Sequence, residues 1–369
     1  MEAHLTRKCL VVSAVNFSEG GPLTILRDCL SSAAHNLPSE WEIIALIHDK
    51  RLINEPRVRL VEVKDAKRSW FLRIYYEWFG FRELSKQFVP DLWLSLHDVT
   101  PRVLSRRQAV YCHNPSPFYR LSLHEIWLEP RFWLFNLFYR YLYQAFIRRN
   151  YWVIVQQAWL RDEFFSMFGP LPIVVAHPSV RLQAGNHQSK LSGQGIIFFY
   201  PAFPRMFKNF ELICEAAKIL NMRGVVGFEV RLTLKGDENR YSKWLYAKYS
   251  AVSKLSFMGL QNREQMSDQY AAATAVIFPS KLETWGLPIS EAKSYGKPLL
   301  VVDFPYAHEA VGTYDKVSFF DPTNAEALAD LMQDIINKCW LPMGAKVDKP
   351  EQPFTQNWNE LWQLLTKDL

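Results

Sequence analysis

The feature that most constrains this chain is an alternation, met twice, of short apolar runs with helix-periodic segments. "CLVVSAV" from Cys9 passes through Gly20-Gly21 into "PLTILRDCLSSAAHNL", whose apolar residues recur at helical spacing. The runs "WEIIALIH", "RVRLVEV", "LWLSLH", "AVYCH" and "YWVIVQQ" follow, the last of them ahead of a helical "WLRDEFFSMFG". Buried strands alternating with helices predict βαβ units around a parallel sheet. Between about His177 and Gly195 the text turns polar and aperiodic, which marks a linker. A second series then begins with "GIIFFYPA" and runs through "NFELICEAAKIL", "FEVRLTLKG", "LSFMG", "REQMSDQYAAA", "AVIFP" and "PISEAKSYG" to "PLLVVD". The architecture repeats without a detectable sequence repeat. The expected fold class is therefore α/β, with two Rossmann-like doubly wound domains facing across a cleft. Residues 1–180 form the N-terminal domain and 195–350 the C-terminal one. The tail 351–369, with "NWNELWQLLTKDL", is an amphipathic helix packing back toward the first domain. Ligands are expected beyond the carboxyl ends of the strands.

Composition narrows the function classes. A chain of 369 residues, 49% apolar, can bury two cores, and its net charge of +6 does not call for nucleic acid. The basic excess is local: Arg102, Arg106, Arg107, Arg120, Arg131, Arg140, Arg148 and Arg149 face only Glu125 and Glu129 between Pro101 and Asn150. Such a zone, rich in aromatics, suits an anionic surface of lipid headgroups or phosphates. The five cysteines are scattered and form no C-x-x-C, which argues against a disulfide framework or zinc site and for a reducing cytoplasm. The run Cys9–Val15 is short and leads into Asn16 and Gly20-Gly21, so it reads as a first strand rather than a signal peptide. The stretch nearest to a membrane span, Phe132–Ile147, is interrupted by Asn136, Arg140 and Gln144.

Chemistry concentrates in "FPSKLETWGLPISEAKSYGKP", Phe278–Pro298. A buried strand ends at Pro279, and Pro288 and Gly296 suit the first turn and the C-terminal cap of a following helix. Thr284, Trp285, Gly286 and Leu287 then lie at a helix N-terminus, where free backbone N–H groups and the dipole favour phosphate. Glu291, past that turn, is placed to accept hydrogen bonds from a sugar diol such as ribose, and Glu283 faces the other end of the ligand. Gly20 and Gly21, after the first strand, permit close backbone approach to a phosphate or sugar. Asp237 reads as a turn aspartate. His97-Asp98, taken as adjacent strand residues, point to opposite faces and are not read as a dyad.

The segment resembles the E-x7-E signature of retaining GT-B glycosyltransferases of family 4. The likeness extends from Phe257 to Gly312, through "SFFDPTNAEALADLM", and to "FFYPAFPRMFKNFELICEAAKIL", covering nearly all of 195–335. "EGGP" and "HNPSPF" carry a looser match in the first half, and the whole is similar to the branch that builds bacterial surface polysaccharides such as O-antigen or capsule. The resemblance implies that Glu291 binds the donor ribose and that Glu283 lies near the transferred sugar. It implies that Lys208 and Arg205 neutralise the departing diphosphate, and that His113, with Asn114 beside it, contacts the donor sugar. Trp285 replaces the family's more usual phenylalanine, and Tyr200-Pro201 replaces its Gly-Arg.

The implied partners are a UDP- or GDP-linked sugar as donor substrate and a glycan acceptor, lipid-linked in many such enzymes, at the inner face of the cytoplasmic membrane. No further cofactor is implied. The absence of D-x-D fits metal-free stabilisation of the leaving group. The aromatic, arginine-rich "RSWFLRIYYEWFGFREL" and "PRFWLFNLFYRYLYQAFIRRN" read either as core helices or as peripheral contacts with anionic membrane. Two other functions remain open on the same fold. One is a nucleotide-sugar 2-epimerase, for which no convincing acid/base set is evident. The other is a non-catalytic member of a polysaccharide assembly complex, against which the retention of Lys208, Glu283 and Glu291 argues.

Overall fold

The computed structural model describes residues 7–18, 20–178, 195–345 and 349–369, so the expected linker falls almost wholly outside the described residues. Contacts divide the chain into two compact units. Met1–Phe118, Asn136–Ser179 and Pro350–Leu369 make the first, and Tyr119–Phe135 with Val180–Lys349 the second.

The first unit holds β1 (Lys8–Ser13), β2 (Trp41–Ile47), β3 (Val58–Glu62), β4 (Leu92–Ser95), β5 (Arg107–Cys112), β6 (Trp152–Val155) and β7 (Ile173–Ala176). The second holds β8 (Ile196–Tyr200), β9 (Phe228–Leu232), β10 (Leu255–Phe257), β11 (Ala275–Phe278), β12 (Leu299–Val302) and β13 (Val317–Phe320). A last strand, β14 (Phe354–Thr355), returns to the first unit. The sheets run β14-β7-β6-β5-β4-β1-β2-β3 and β10-β9-β8-β11-β12-β13. Every pairing is parallel, as in β1 with β4 (Leu10 to Leu92) and β8 with β11 (Phe198 to Ala275). Counted from its own first strand, each sheet contains the Rossmann order 3-2-1-4-5-6, extended in the first by β7 and β14, and the order reverses between strands one and four.

The apolar runs explain the layering. Alternate residues of β1 serve opposite faces: Leu10 and Val12 pack with Leu26, Leu30 and Ala33, whereas Cys9 and Val11 pack with Phe81 and Trp93. Both faces are covered, which is why these strands are apolar throughout. The tail helix Trp358–Thr366 buries Trp358, Leu361, Trp362 and Leu365 in the first of those clusters. Ahead of it β14 extends the sheet edge beside β7, a two-residue strand with no legible period.

Several arginines of the basic zone are spent locally. Arg106 and Arg107 donate to the carbonyls of Asp368 and Lys367 at the end of the tail helix. Arg148 Nη2 donates to Phe168 O (2.7 Å), closing the helix Ala158–Phe168. Cations at helix C-termini complement the dipole, so these three are not a free anionic-surface patch. Four of the five cysteines are buried and all are unpaired.

Candidate functional site

In the second unit the sheet order reverses between β8 and β11, and the loops that leave these two strands are locked together. After β8 the chain makes a short turn over Met206–Lys208 and enters the helix Phe210–Met222 through Asn209, at φ +56°. Asn209 Nδ2 donates to the carbonyls of Pro279 and Pro322, and Lys281 N donates to Phe207 O (2.6 Å). Lys208 Nζ forms a short ion pair with Glu283, both side chains more than four-fifths buried. Lys208 and Glu283, 75 positions apart, thus meet at the switch point.

The loop after β11 ends at Gly286, the N-cap of the helix Leu287–Ser294. Gly286 lies at φ +77°, and a Cβ there would come within 3.2 Å of Ile289 and 3.3 Å of Phe278. Only glycine meets both demands. Pro288 occupies the first turn and Gly296, at φ +64°, follows the helix, as the sequence indicates. The N–H groups of Thr284, Gly286 and Leu287 donate to no acceptor among the described residues. Trp285 Nε1 donates to Ser290 Oγ (3.0 Å), which fixes the indole against the helix.

Glu291 is held from the side. Tyr270 donates its hydroxyl to Glu291 Oε2 at 2.6 Å, and its ring stacks on Tyr295 with centroids 5.4 Å apart. Burial and the Glu291 carboxylate raise the Tyr270 pKa well above the usual 10, so the phenol remains a donor. One carboxylate oxygen is thereby oriented and the other keeps its capacity for a ligand. Tyr270 carries no signal in sequence: it sits in "QYAAA", 21 positions from Glu291.

Arg205 is half-exposed and pairs apart from the Lys208–Glu283 contact. Its guanidinium lies 3.5 Å from Glu129, and Lys281 Nζ lies 3.8 Å from Glu125. Both glutamates come from Tyr119–Phe135, which clusters with the second unit. Phe207 packs on Tyr119 and Phe132, and Arg240 covers the Trp127 ring at 3.8 Å. The two acids opposing the basic zone in sequence thus neutralise residues far along the chain. Asp237 is exposed, 4.0 Å from Lys235, as befits a turn residue.

In the first unit the corresponding reversal lies between β1 and β4. Gly20 opens the helix Gly20–Asn36 at φ +63°, with Gly21 in its first turn. Here a correction is needed: β4 ends at Ser95, so His97-Asp98 is not on a strand. Asp98 adopts the left-handed region at φ +68°. The two side chains do diverge, yet each is built into a buried charged cluster. His97 Nδ1 lies 2.7 Å from Glu77, both residues 1% exposed or less. Arg73 donates to His97 O (2.8 Å) and, through Nη1 and Nε, to the amide oxygen of Asn16 (2.8 Å each). Asp98 accepts the backbone N–H groups of His113 and Asn114. His113 and Asn114 therefore sit where the sequence places them, just beyond β5. The cluster that supports them is non-local and was missed.

Residues 185–344 match the family model "Glycosyl transferases group 1". The chain is 27% identical over 135 residues to O-antigen chain mannosyltransferase B of Escherichia coli, covering 36% of this chain and 35% of that protein. It is 20% identical over 248 residues to O-antigen chain mannosyltransferase RfbU of Salmonella typhimurium, covering 66% of this chain and 64% of that one. The matched region thus spans about a third of the first relative and just under two thirds of the second. Among solved structures, sucrose-phosphate synthase from Thermosynechococcus elongatus aligns with TM-score 0.67 at 14% identity, over 90% of each chain. Anabaena HepE in complex with UDP-glucose aligns with TM-score 0.59 at 14% identity, over 90% of this chain and 89% of that one. Residues 185–344 are therefore similar to the group 1 glycosyl transferases, and the fold of the chain is GT-B.

Proposed function

We propose that this chain is a retaining glycosyltransferase that moves a hexosyl unit from a nucleotide-diphosphate sugar to a hydroxyl of a lipid-linked bacterial surface glycan. The observation that carries the reading is the convergence in the second unit of Lys208, Glu283, an unpaired helix N-terminus and an oriented Glu291. The diphosphate lies on the free N–H groups of Thr284, Gly286 and Leu287. Glu291 takes the ribose hydroxyls. An ammonium has three N–H donors, so Lys208 can bind Glu283 and still meet phosphate oxygens. As the C1–O bond breaks, its electron pair passes to the phosphate, where fixed donors stabilise the charge. The acceptor hydroxyl attacks the same face and gives its proton to the departing phosphate oxygen, which retains configuration without a protein nucleophile. In this reading no metal is needed. The relatives' names favour a mannosyl donor and transfer into O-antigen.

A donor screen tests the proposal. The purified protein is titrated by calorimetry, with chelator present, against a panel headed by GDP-mannose and UDP-glucose. One preferred nucleotide should bind, and Glu291→Ala should weaken it at least about tenfold, the equivalent of one lost charged hydrogen bond. Equal affinity in that variant would remove Glu291 from the site, and no binding across the panel would count against the activity.

A lipid-linked acceptor requires peripheral contact with the membrane. Among the described residues no helix is long and apolar enough to cross one. In the first unit Phe71, Tyr75 and Phe79 form an exposed stripe, with Phe71 83% exposed, while Arg73 and Glu77 of the same segment point inward. Exposed aromatics suit the headgroup region. The protein should co-float with anionic liposomes at low salt, and Phe71→Ser/Phe79→Ser should abolish flotation. Wild-type protein that stays at the bottom of the gradient would discard the contact.

A further inference from the structure

We propose that the arm Tyr119–Phe135 restrains anion binding at the switch-point loops of the second unit: its carboxylates Glu129 and Glu125 hold Arg205 and Lys281, and an incoming diphosphate competes with them for those cations. Naming the anion as a donor diphosphate rests on the glycosyltransferase reading above. The loops that leave β8 and β11, residues 201–209 and 279–286, carry three cations, Arg205, Lys208 and Lys281. Each faces a carboxylate. Arg205 Nη1 lies 3.5 Å from Glu129 Oε2, Lys281 Nζ lies 3.8 Å from Glu125 Oε1, and Lys208 pairs with Glu283. Glu283 belongs to one of the two loops, whereas Glu125 and Glu129 are brought by the arm, which clusters with this unit. Two acids thus lower the positive potential of loops built to meet an anion.

The arm is fixed to the loop whose charge it offsets. Phe207, between Arg205 and Lys208, packs on Tyr119 and Phe132 with ring centroids 6.2 and 5.5 Å apart. Glu125 is anchored within the arm: Oε1 accepts from Tyr119 Oη (2.6 Å) and Oε2 from Ser122 N (2.8 Å), so its charge stays beside Lys281. Glu129 is less well satisfied. Its side chain is 9% exposed, and its Oε1 is buried without a hydrogen-bond partner. Burial raises its pKa above the usual carboxylate range, against the pull of Arg205. The Arg205 guanidinium is 48% exposed, so it keeps access to a ligand from solvent. Drawing it away strands a desolvated carboxylate, which is costly. That cost is subtracted from the affinity of any anion that recruits Arg205.

The probe is inorganic pyrophosphate, titrated by calorimetry into the intact chain at low salt. Glu129→Gln should bind it roughly tenfold more tightly than wild type, the weight of one charge-assisted contact. Glu125→Gln keeps an oxygen for the Ser122 cap and should give a smaller gain, because Glu211 also acts on Lys281. In Glu129→Gln combined with Arg205→Ala the gain should vanish, returning affinity to within about twofold of wild type. A purely structural role for the arm predicts the opposite sign, since loosening it would weaken binding. Unchanged or weaker binding in Glu129→Gln overturns the inference, and so does a gain that survives Arg205→Ala. If Glu129→Gln fails to fold, Glu125→Gln decides alone, and no gain there overturns it. Pyrophosphate that binds neither wild type nor variants overturns it as well. The expected pyrophosphate pattern in a protein that binds no nucleotide sugar would count against the glycosyltransferase reading alone.

Discussion

Replacing Lys208 with methionine is expected to lower turnover about 10²- to 10³-fold, the usual cost of removing one preorganised group that stabilises developing charge. The effect belongs in kcat, because the charge on the leaving phosphate grows as the glycosidic bond breaks. Nucleotide affinity should change much less, since the helix N-terminus and Glu291 remain. The same change strands Glu283, whose side chain is only 14% exposed and whose ion partner is Lys208. Stability should therefore fall as well, and the two effects must be separated. Lys208→Met combined with Glu283→Gln should recover the lost stability, because a neutral amide needs no counter-ion, but should leave turnover low. Steady-state kinetics beside urea denaturation makes the comparison. A double variant that regains activity along with stability would show that Lys208 only balances charge.

Arg73→Ala is expected to destabilise the protein by about 3–5 kcal/mol, the range for removing one partner of a buried charge cluster. Arg73 holds the carbonyl of His97 and the amide of Asn16, and it faces the carboxylates of Glu77 and Asp98. Its loss leaves those acids buried with no nearby guanidinium. The control is Arg59→Ala, whose 3.3 Å pair with Glu42 is exposed on the arginine side. That change should cost no more than about 1 kcal/mol. Denaturant midpoints at constant slope report both. Similar losses in the two variants would mean that the cluster at the end of β4 is not a charge-balanced unit.

Much of the second unit is legible in a linear reading. β8, β9, β11 and β12 are apolar runs between helices, and the cap at Gly286, the proline at 288 and the glycine at 296 punctuate one helix within eleven residues. Glu283 and Glu291 flank the same short turn, one in the loop and one in the helix that follows, so their spacing survives folding. Lys208 is read from the family resemblance of the segment that holds it rather than from any partner. In contrast, "HEIWLEP" reads as part of the first domain, but Glu125 and Glu129 serve Lys281 and Arg205 in the second unit. No local period announces that.

Segment type, strand order of appearance and the helix start at Gly286 follow from local pattern. Hydrophobic period and turn chemistry act over a few residues and need no distant partner. The pairings followed from tertiary structure alone. Tyr270 reaches Glu291 across 21 positions, Arg205 reaches Glu129 across 76, and Arg107 reaches the tail helix across 260. Asp98 accepts the backbone N–H groups of His113 and Asn114 only because β4 and β5 are neighbours in the sheet and Asp98 departs from strand geometry to take the left-handed region. The energy of these contacts depends on burial and register, which a chain acquires only when its sheets assemble.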